Sequence, residues 1–232
     1  LKYDAMALGN HDFDYGQERL LELKEMADFP ILSANTFRKD GSNLLPSYII
    51  KDFDGIRVAV FGLSSRNTSF ETNPKNVEGL TFADPVAVAK EIVPQLERQA
   101  DVIILLSHLG LDDPICTSAT VAEEVPGIDI IIDGHSHTEL KEGMVVREAL
   151  INQTGAHLDN LGVVTLTVEN DTITKRAQLF PKGAAANRVE DQEILTLIKG
   201  IQAETERTAS AVIGKTAVKL NGLREDVRTG ET

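Results

Sequence analysis

Four polar side chains, Asn10, His11, Asp12 and Asp14, crowd into the segment Ala7-Leu-Gly-Asn-His-Asp-Phe-Asp14. An amide oxygen, an imidazole and two carboxylates at this spacing can serve as donors to a cation and as proton carriers for a reaction. A second cluster, Ile128-Asp-Ile-Ile-Ile-Asp-Gly-His-Ser-His137, ends on two imidazoles one residue apart. A third, Asp101-Val-Ile-Ile-Leu-Leu-Ser-His-Leu-Gly110, carries His108 at its end. The chain has 5 histidines, and His11, His108, His135 and His137 all stand just past apolar runs. One histidine so placed is more often a cap or a surface group, but the repetition makes chance the weaker account. A metal ion is the physical reason to gather imidazoles, and zinc, manganese, cobalt and iron suit such donors. If the three strand ends converge, the rings of His108 and His135 must come within about 8 Å, the reach of two bonds of about 2 Å to a common ion.

The elements that would position these residues are legible as apolar runs. Tyr3 to Leu8 reads as a buried strand, and Gly9 breaks it to put the polar cluster on a loop. Ligands in open α/β sheets sit at such carboxyl ends. Gly16 to Met26 has helical spacing, with Leu20, Leu23 and Ala27 on one face, and Phe29-Pro30 stops it. Pro30 to Ala34 is a short strand that delivers Asn35 to the same rim, where a turn residue bonding its own backbone is the favoured role over a site contact. Ser47–Asp52 and Ile56–Leu63 form a hairpin about Asp54-Gly55. Ser64 to Gly79 is polar and irregular, bordering the site or forming a plain loop. Asp84-Pro85 opens a helix whose Val86, Ala89, Val93 and Leu96 make a stripe, with Pro94 expected to kink or loosen it. Strand Asp101–Leu106, a helix near Ser118–Val125 and strand Asp129–Asp133 follow. Ala149–Gln153, Leu161–Glu169 and Thr172–Phe180 read as strands, the last two about a turn at Asn170-Asp171. His157 lies in a loop, where local hydrogen bonding is the favoured role. A composition break at Gly183-Ala-Ala-Ala-Asn187 precedes a helix over Asp191–Ser210 and a strand over Ala211–Leu220.

Composition excludes some functions. Lys+Arg 23 against Asp+Glu 36 gives a formal charge of −13, which argues against a nucleic-acid surface, since phosphate backbones are held by Lys and Arg. A small phosphate ester stays compatible if bound metals supply local positive charge. Cys116 is the only cysteine, so neither an internal disulfide nor a thiolate cage exists within the chain. No run reaches the roughly 18 apolar residues of a membrane span, and no signal peptide is visible.

Gly9-Asn10-His11-Asp12, Ser107-His108 and Gly134-His135-Ser136-His137 together resemble three signature blocks of the calcineurin-like metallophosphoesterases. The longer Gly-Asn-His-Asp-Phe-Asp form is similar to the branch holding 5′-nucleotidases, UDP-sugar hydrolases and cyclic-nucleotide phosphodiesterases. Ile31-Leu-Ser-Ala-Asn35, Phe61-Gly-Leu63, Phe82-Ala-Asp-Pro85, Val125-Pro-Gly-Ile-Asp129, Gln153-Thr-Gly155 and Leu161-Gly162 fit the same branch. The family's opening Asp-x-His block, and the Gly-Asp block whose Asp bridges two metals, do not stand ahead of Asn10. Arg228-Thr-Gly-Glu-Thr232 resembles the opening of the family's second domain. The chain thus reads as an interior piece of a longer protein.

The resemblance implies an α/β fold, most of a four-layer α/β/β/α sandwich, over 1–182, a linker helix over 183–210 and the start of a second, nucleotide-binding domain over 211–232. It implies two divalent ions in the whole protein, with Asn10, His108 and His135 ligating one and His137 the other. It further implies His11 as general acid or transition-state stabiliser, with Asp14 fixing its tautomer and Asp12 shaping the loop. Nucleoside monophosphates are the first expected substrates, then UDP-sugars, then 2′,3′-cyclic nucleotides. The location implied is extracellular, cell-wall or periplasmic. By itself the piece is expected to bind at most one metal well, to hydrolyse poorly, and to self-associate through an incomplete sheet. The competing expectation is a scaffold or binding module that keeps the fold without the chemistry.

Overall fold

The computed structural model of the chain describes residues 2–169, 172–185, 188–219 and 221–223. The chain divides into two compact units, Leu1–Ala185 and Ala186–Thr232.

The first unit opens with β1 (Met6–Ala7), a 3₁₀ turn over Asn10–Phe13, α1 (Gly16–Met26) and β2 (Ile31–Leu32). β1 pairs with β2 in parallel through Met6–Ile31 and Ala7–Leu32, so the strand expected over Tyr3–Leu8 contracts to the two residues that find a partner. β3 (Thr36–Arg38) leads to β4 (Tyr48–Phe53) and β5 (Ile56–Ser64), an antiparallel hairpin. Its turn residues Asp54 and Gly55 have φ of 53° and 93°, the left-handed pair that favours glycine in a two-residue hairpin. Then come α2 (Thr68–Glu71), a 3₁₀ turn over Pro74–Val77, β6 (Leu80–Phe82), α3 (Pro85–Leu96), β7 (Val102–His108), α4 (Ser118–Glu124) and β8 (Ile130–Ile132). The unit closes with β9 (Met144–Val146), β10 (Ala149–Asn152), β11 (Asn160–Glu169) and β12 (Thr172–Pro181).

The main sheet has six strands in the order β4-β5-β7-β8-β10-β9. β5, β7, β8 and β10 run parallel in its centre, and β4 and β9 are antiparallel edges. Side chains alternate across a strand, so β5 sends Phe61 and Leu63 to one face and Gly62 and Ser64 to the other. On the first face Phe61, Leu63, Leu105, Ile131 and Ile151 join Val93 and Leu96 of α3 and Val121 of α4 in one buried cluster. On the second, Gly62 receives β2 so closely that an added Cβ would strike the Leu32 carbonyl, and the Ala34 N–H donates to the Gly62 carbonyl at 2.8 Å. A smaller cluster of Leu8, Phe13, Leu20, Ile31, Leu44, Leu45 and Val77 packs α1 over β1 and β2. The layers therefore run α3/α4, six-stranded sheet, β1-β2, α1. This is the four-layer α/β/β/α arrangement, with a short second sheet.

One expectation changes, that for Asn35. α3 runs unbroken through Pro94, whose ring lies on the exposed side of the helix. There it forgoes one hydrogen bond without meeting the core. Asn35 is fully buried and bonds at long range: its Nδ2 donates to the Ser64 carbonyl at 2.8 Å and the Ala83 carbonyl at 3.0 Å, and its Oδ1 accepts from the Ser64 N–H at 2.9 Å. It clamps the end of β5 and has no self-bonding turn role. β11 and β12 make their own two-stranded sheet over a ten-pair register, with a half-buried face through Val164 and Leu166; the turn expected at Asn170-Asp171 lies outside the described residues.

In the second unit, α5 (Gln192–Ala209) is capped by Asp191, whose carboxylate accepts from the Glu193 and Ile194 N–H groups at 3.0 and 3.1 Å. The strand expected over Ala211–Leu220 is not formed across 211–219. Leu220, Ala186 and Asn187, and the segment Arg228–Thr232 lie outside the described residues.

Candidate active site

The parallel registers bring strand ends to one rim: Ser64 is level with His108, Leu106 with Ile132, and Ile132 with Asn152. β1 is pinned to the same rim, because the Leu8 carbonyl accepts from the Ser64 hydroxyl at 2.9 Å. Residues far apart in sequence thus meet.

Asn10 is buried, and its Oδ1 lies 3.0 Å from His108 Nε2. The rings of His108 and His135 are 5.0 Å apart, inside the limit that a shared ion sets. Gly9 is required here: a Cβ on it would come within 2.9–3.0 Å of the His108 ring. Burial, then the neighbouring charges of His135, His11 and His137, push the His108 imidazole down to about 4. At neutral pH it therefore keeps a free lone pair.

His135 and His137 both have left-handed backbone, with φ of 74° and 56°. Such conformations cost of order 1 kcal/mol or more for non-glycine residues and persist only when their surroundings enforce them. Ser136, between them, supplies the enforcement. Its hydroxyl accepts from the Leu111 N–H at 3.1 Å and donates to Gln153 Oε1 at 3.0 Å. The same Gln153 oxygen accepts from the Thr138 N–H at 2.5 Å.

Beneath the loops lies Asp133, which the sequence showed only as a strand end. Its Oδ1 accepts from the Ser107 hydroxyl and the Leu109 and Gly110 N–H groups at 2.7, 3.1 and 3.3 Å. Its Oδ2 accepts from the Ser118 hydroxyl at 2.8 Å and from the Gln153 amide nitrogen, Nε2, at 3.1 Å. One buried carboxylate so fixes the His108 loop, the His135 loop and α4 together.

His11 stands out from this buried group. Its side chain is 78 % exposed, and its Nδ1 lies 2.9 Å from Asp14 Oδ2. Asp14 is 46 % exposed, so the pair faces solvent, not the buried setting expected of a carboxylate behind an imidazole. Asp12 Oδ2 accepts from the Gly9 N–H at 2.7 Å and closes the loop. Burial raises the Asp12 carboxyl above its usual range, against the pull of that hydrogen bond. His137 is exposed and lies 6.2 Å, ring to ring, from His157. His157, set aside as a local hydrogen-bonding residue, is thus the neighbour of one of the rim imidazoles.

The polar stretch Ser64–Gly79 borders the site. Asn76 Nδ2 donates to the Phe13 and Asp14 carbonyls at 2.8 and 2.9 Å. Glu71, at the end of α2, puts Oε1 3.5 Å from His135 Nε2, and its Oε2 is buried without a hydrogen-bond partner among the described residues.

Among the described residues no three His, Cys, Asp or Glu side chains gather closely enough to hold an ion by themselves. The donor set does fit a divalent cation once the Asn10 amide oxygen is counted. Two imidazoles and an amide oxygen offer the mixed N,O ligation that zinc, manganese, cobalt or iron accept.

The calcineurin-like phosphoesterase family model matches residues 1–139. The chain belongs to the calcineurin-like phosphoesterase family. Among curated relatives, a 5′-nucleotidase of Vibrio cholerae is 39% identical over 147 residues, covering 58% of this chain and 26% of that protein. A 5′-nucleotidase of Diplobatis ommata is 30% identical over 256 aligned positions, covering 99% of this chain and 43% of that protein. The solved structure of a 5′-nucleotidase precursor from Thermus thermophilus superposes with a TM-score of 0.77 at 26% identity, covering 98% of this chain and 48% of that one. The chain thus spans from a quarter to under half the length of these relatives. Among its described residues no helix is long and apolar enough to cross a membrane.

Proposed function

We propose that this chain carries part of the catalytic centre of a metal-dependent nucleotide phosphoesterase, of the type that converts a nucleoside monophosphate to nucleoside and phosphate. The observation that carries the reading is the Asn10–His108 contact of 3.0 Å beside the His135 ring, next to a His11–Asp14 pair open to solvent. Asn10, through its amide oxygen, with His108 and His135 would hold one cation, and His137 would offer a nitrogen to a second. A divalent ion supplies charge for the phosphoryl oxygens and an acidified water. His11 would reach a phosphoryl oxygen or the leaving group and deliver a proton from Nε2, while Asp14 holds the proton on Nδ1 and fixes the tautomer. UDP-sugars and 2′,3′-cyclic nucleotides follow as substrates in that order, and the 5′-nucleotidase relatives favour the first choice. An extracellular, cell-wall or periplasmic location goes with the same family reading.

The ligand set supports one tight cation per chain, the second needing donors beyond these. Calorimetric titration with Mn²⁺ or Co²⁺ is expected to show at most one tight equivalent; two would contradict this. Phosphate release from AMP by the longer protein is expected to depend on Mn²⁺ or Co²⁺ and to be lost in His11→Ala with metal affinity kept. Metal-independent release, or full activity in His11→Ala, would refute the reading, and absence of any hydrolysis would favour the scaffold alternative. We also propose that the β1-β2 pair offers a free edge for association, which concentration-dependent mass in light scattering would register.

A further inference from the structure

We propose that Glu71 is a positioning residue for His135 in cation binding, an inference that rests on the reading of the rim as a metal site. Two independent observations carry it. Glu71 Oε1 lies 3.5 Å from His135 Nε2, longer than a formed hydrogen bond and one small side-chain adjustment from closing. Glu71 Oε2 is buried and finds no hydrogen-bond partner among the described residues.

A buried carboxylate oxygen without a donor is a cost in the folded chain. Glu71 is the last residue of α2, whose backbone is held without it: the Thr68 hydroxyl donates to the Ser65 carbonyl at 2.7 Å, and the Glu71 N–H to the Asn67 carbonyl at 3.0 Å. The carboxylate is therefore not needed to build the turn. What it faces is the imidazole that the Ser136 and Gln153 bonds have forced into a left-handed backbone. A carboxylate on one ring nitrogen keeps the proton there, leaves the other nitrogen's lone pair for a cation and makes that nitrogen a stronger donor. When Oε1 takes the Nε2 proton of His135, Nδ1 is the nitrogen left for the ion. The negative charge of Glu71 also offsets the cation in a rim otherwise built of neutral donors.

The sequence hid this residue because Glu71 sits in a polar stretch without periodicity, far along the chain from His135 and outside the signature blocks.

The test is Co²⁺ binding to the 232-residue chain, read by calorimetry and by the visible absorption of the bound ion. Glu71→Ala is expected to raise the Co²⁺ Kd about 10- to 100-fold, the usual effect of losing a partner behind a metal ligand. Glu71→Gln is expected to fall between the two and to keep the native band pattern. Metal-free Glu71→Ala is expected to melt no lower than the native chain, because it removes an uncompensated oxygen. His135→Ala is expected to lose more affinity and to change the bands. If His135→Ala weakens Co²⁺ while Glu71→Ala binds it as the native chain does, the proposal falls and the site reading stands. A band pattern in Glu71→Gln like that of His135→Ala would make Glu71 itself a ligand and overturn the positioning role, as would a clear loss of metal-free stability in Glu71→Ala. If His135→Ala binds Co²⁺ normally, or the native chain binds none, the site reading falls and takes the proposal with it.

Discussion

Replacing Asp133 by Asn tests the buried carboxylate beneath the rim. Asn keeps the size and one acceptor oxygen. That oxygen can still accept from Ser107, Leu109 and Gly110, but as neutral bonds. A hydrogen bond to a charged group is worth about 1.5–3 kcal/mol against about 0.5–1.5 for a neutral one, so each of the three weakens by about 1 kcal/mol, roughly 3 kcal/mol together. The new amide then faces the Gln153 amide nitrogen at the former Oδ2 position, where the distance is 3.1 Å. Gln153 cannot turn over to help, because its Oε1 already accepts from Ser136 and Thr138. One stranded donor adds about 1–3 kcal/mol. Relief from burying a charge offsets part of this, leaving a net loss of about 3 kcal/mol. The chain has no Trp, so urea unfolding is best followed by far-ultraviolet circular dichroism. A loss of about 3 kcal/mol corresponds to a fall of roughly 6–12 °C in Tm for a domain of this size. A loss below about 1 kcal/mol at unchanged m-value would show that Asp133 does not tie the loops together.

Gly62→Ala should destabilise the first unit by about 1–3 kcal/mol, through overpacking against the Leu32 carbonyl, and urea unfolding would measure it. Gly9→Ala should displace the His108 ring and weaken Co²⁺ binding in calorimetry while changing thermal stability less than Gly62→Ala. Burial, followed by the charges of Asp84, Asp113 and Glu124, pushes the Cys116 thiol up to about 11 from 9.0. The folded state then holds the thiol proton more tightly than the unfolded state. Its contribution to stability is complete below pH 9 and is lost as pH rises through about 11. Unfolding of native and Cys116→Ala chains should therefore converge between those values, and iodoacetamide should label native Cys116 slowly at about pH 8 compared with the unfolded chain.

Much of the scaffold could be read from the sequence because strong punctuation marks it. Pro30 and the Gly16 turn bound α1 at Gly16–Met26, Asp54-Gly55 sets the β4-β5 register, and Asp84-Pro85 caps α3. The convergence of His108 and His135 was expected on the condition that their apolar runs lie side by side in one sheet, as β7 and β8 do. What escaped depended on contacts that leave no local pattern. Asn35 looked like a turn residue until its partners proved to be Ser64 and Ala83. Glu71 and Asp133 are single carboxylates whose meaning comes from what other elements bring to them. The apolar residues of 211–220 suggested a strand, but 211–219 meet no partner sheet among the described residues, and apolar residues without a partner do not make a strand.

Asn10 and His108 touch across 98 positions of chain. Closing such a loop costs entropy before its contacts give anything back, and parallel pairing is slow for the same reason. The proposed cation site is therefore expected to form late, once β5 and β7 have paired. Added Co²⁺ should then leave the early refolding phase untouched and slow only unfolding, and the appearance of its absorption bands would time the last step of assembly.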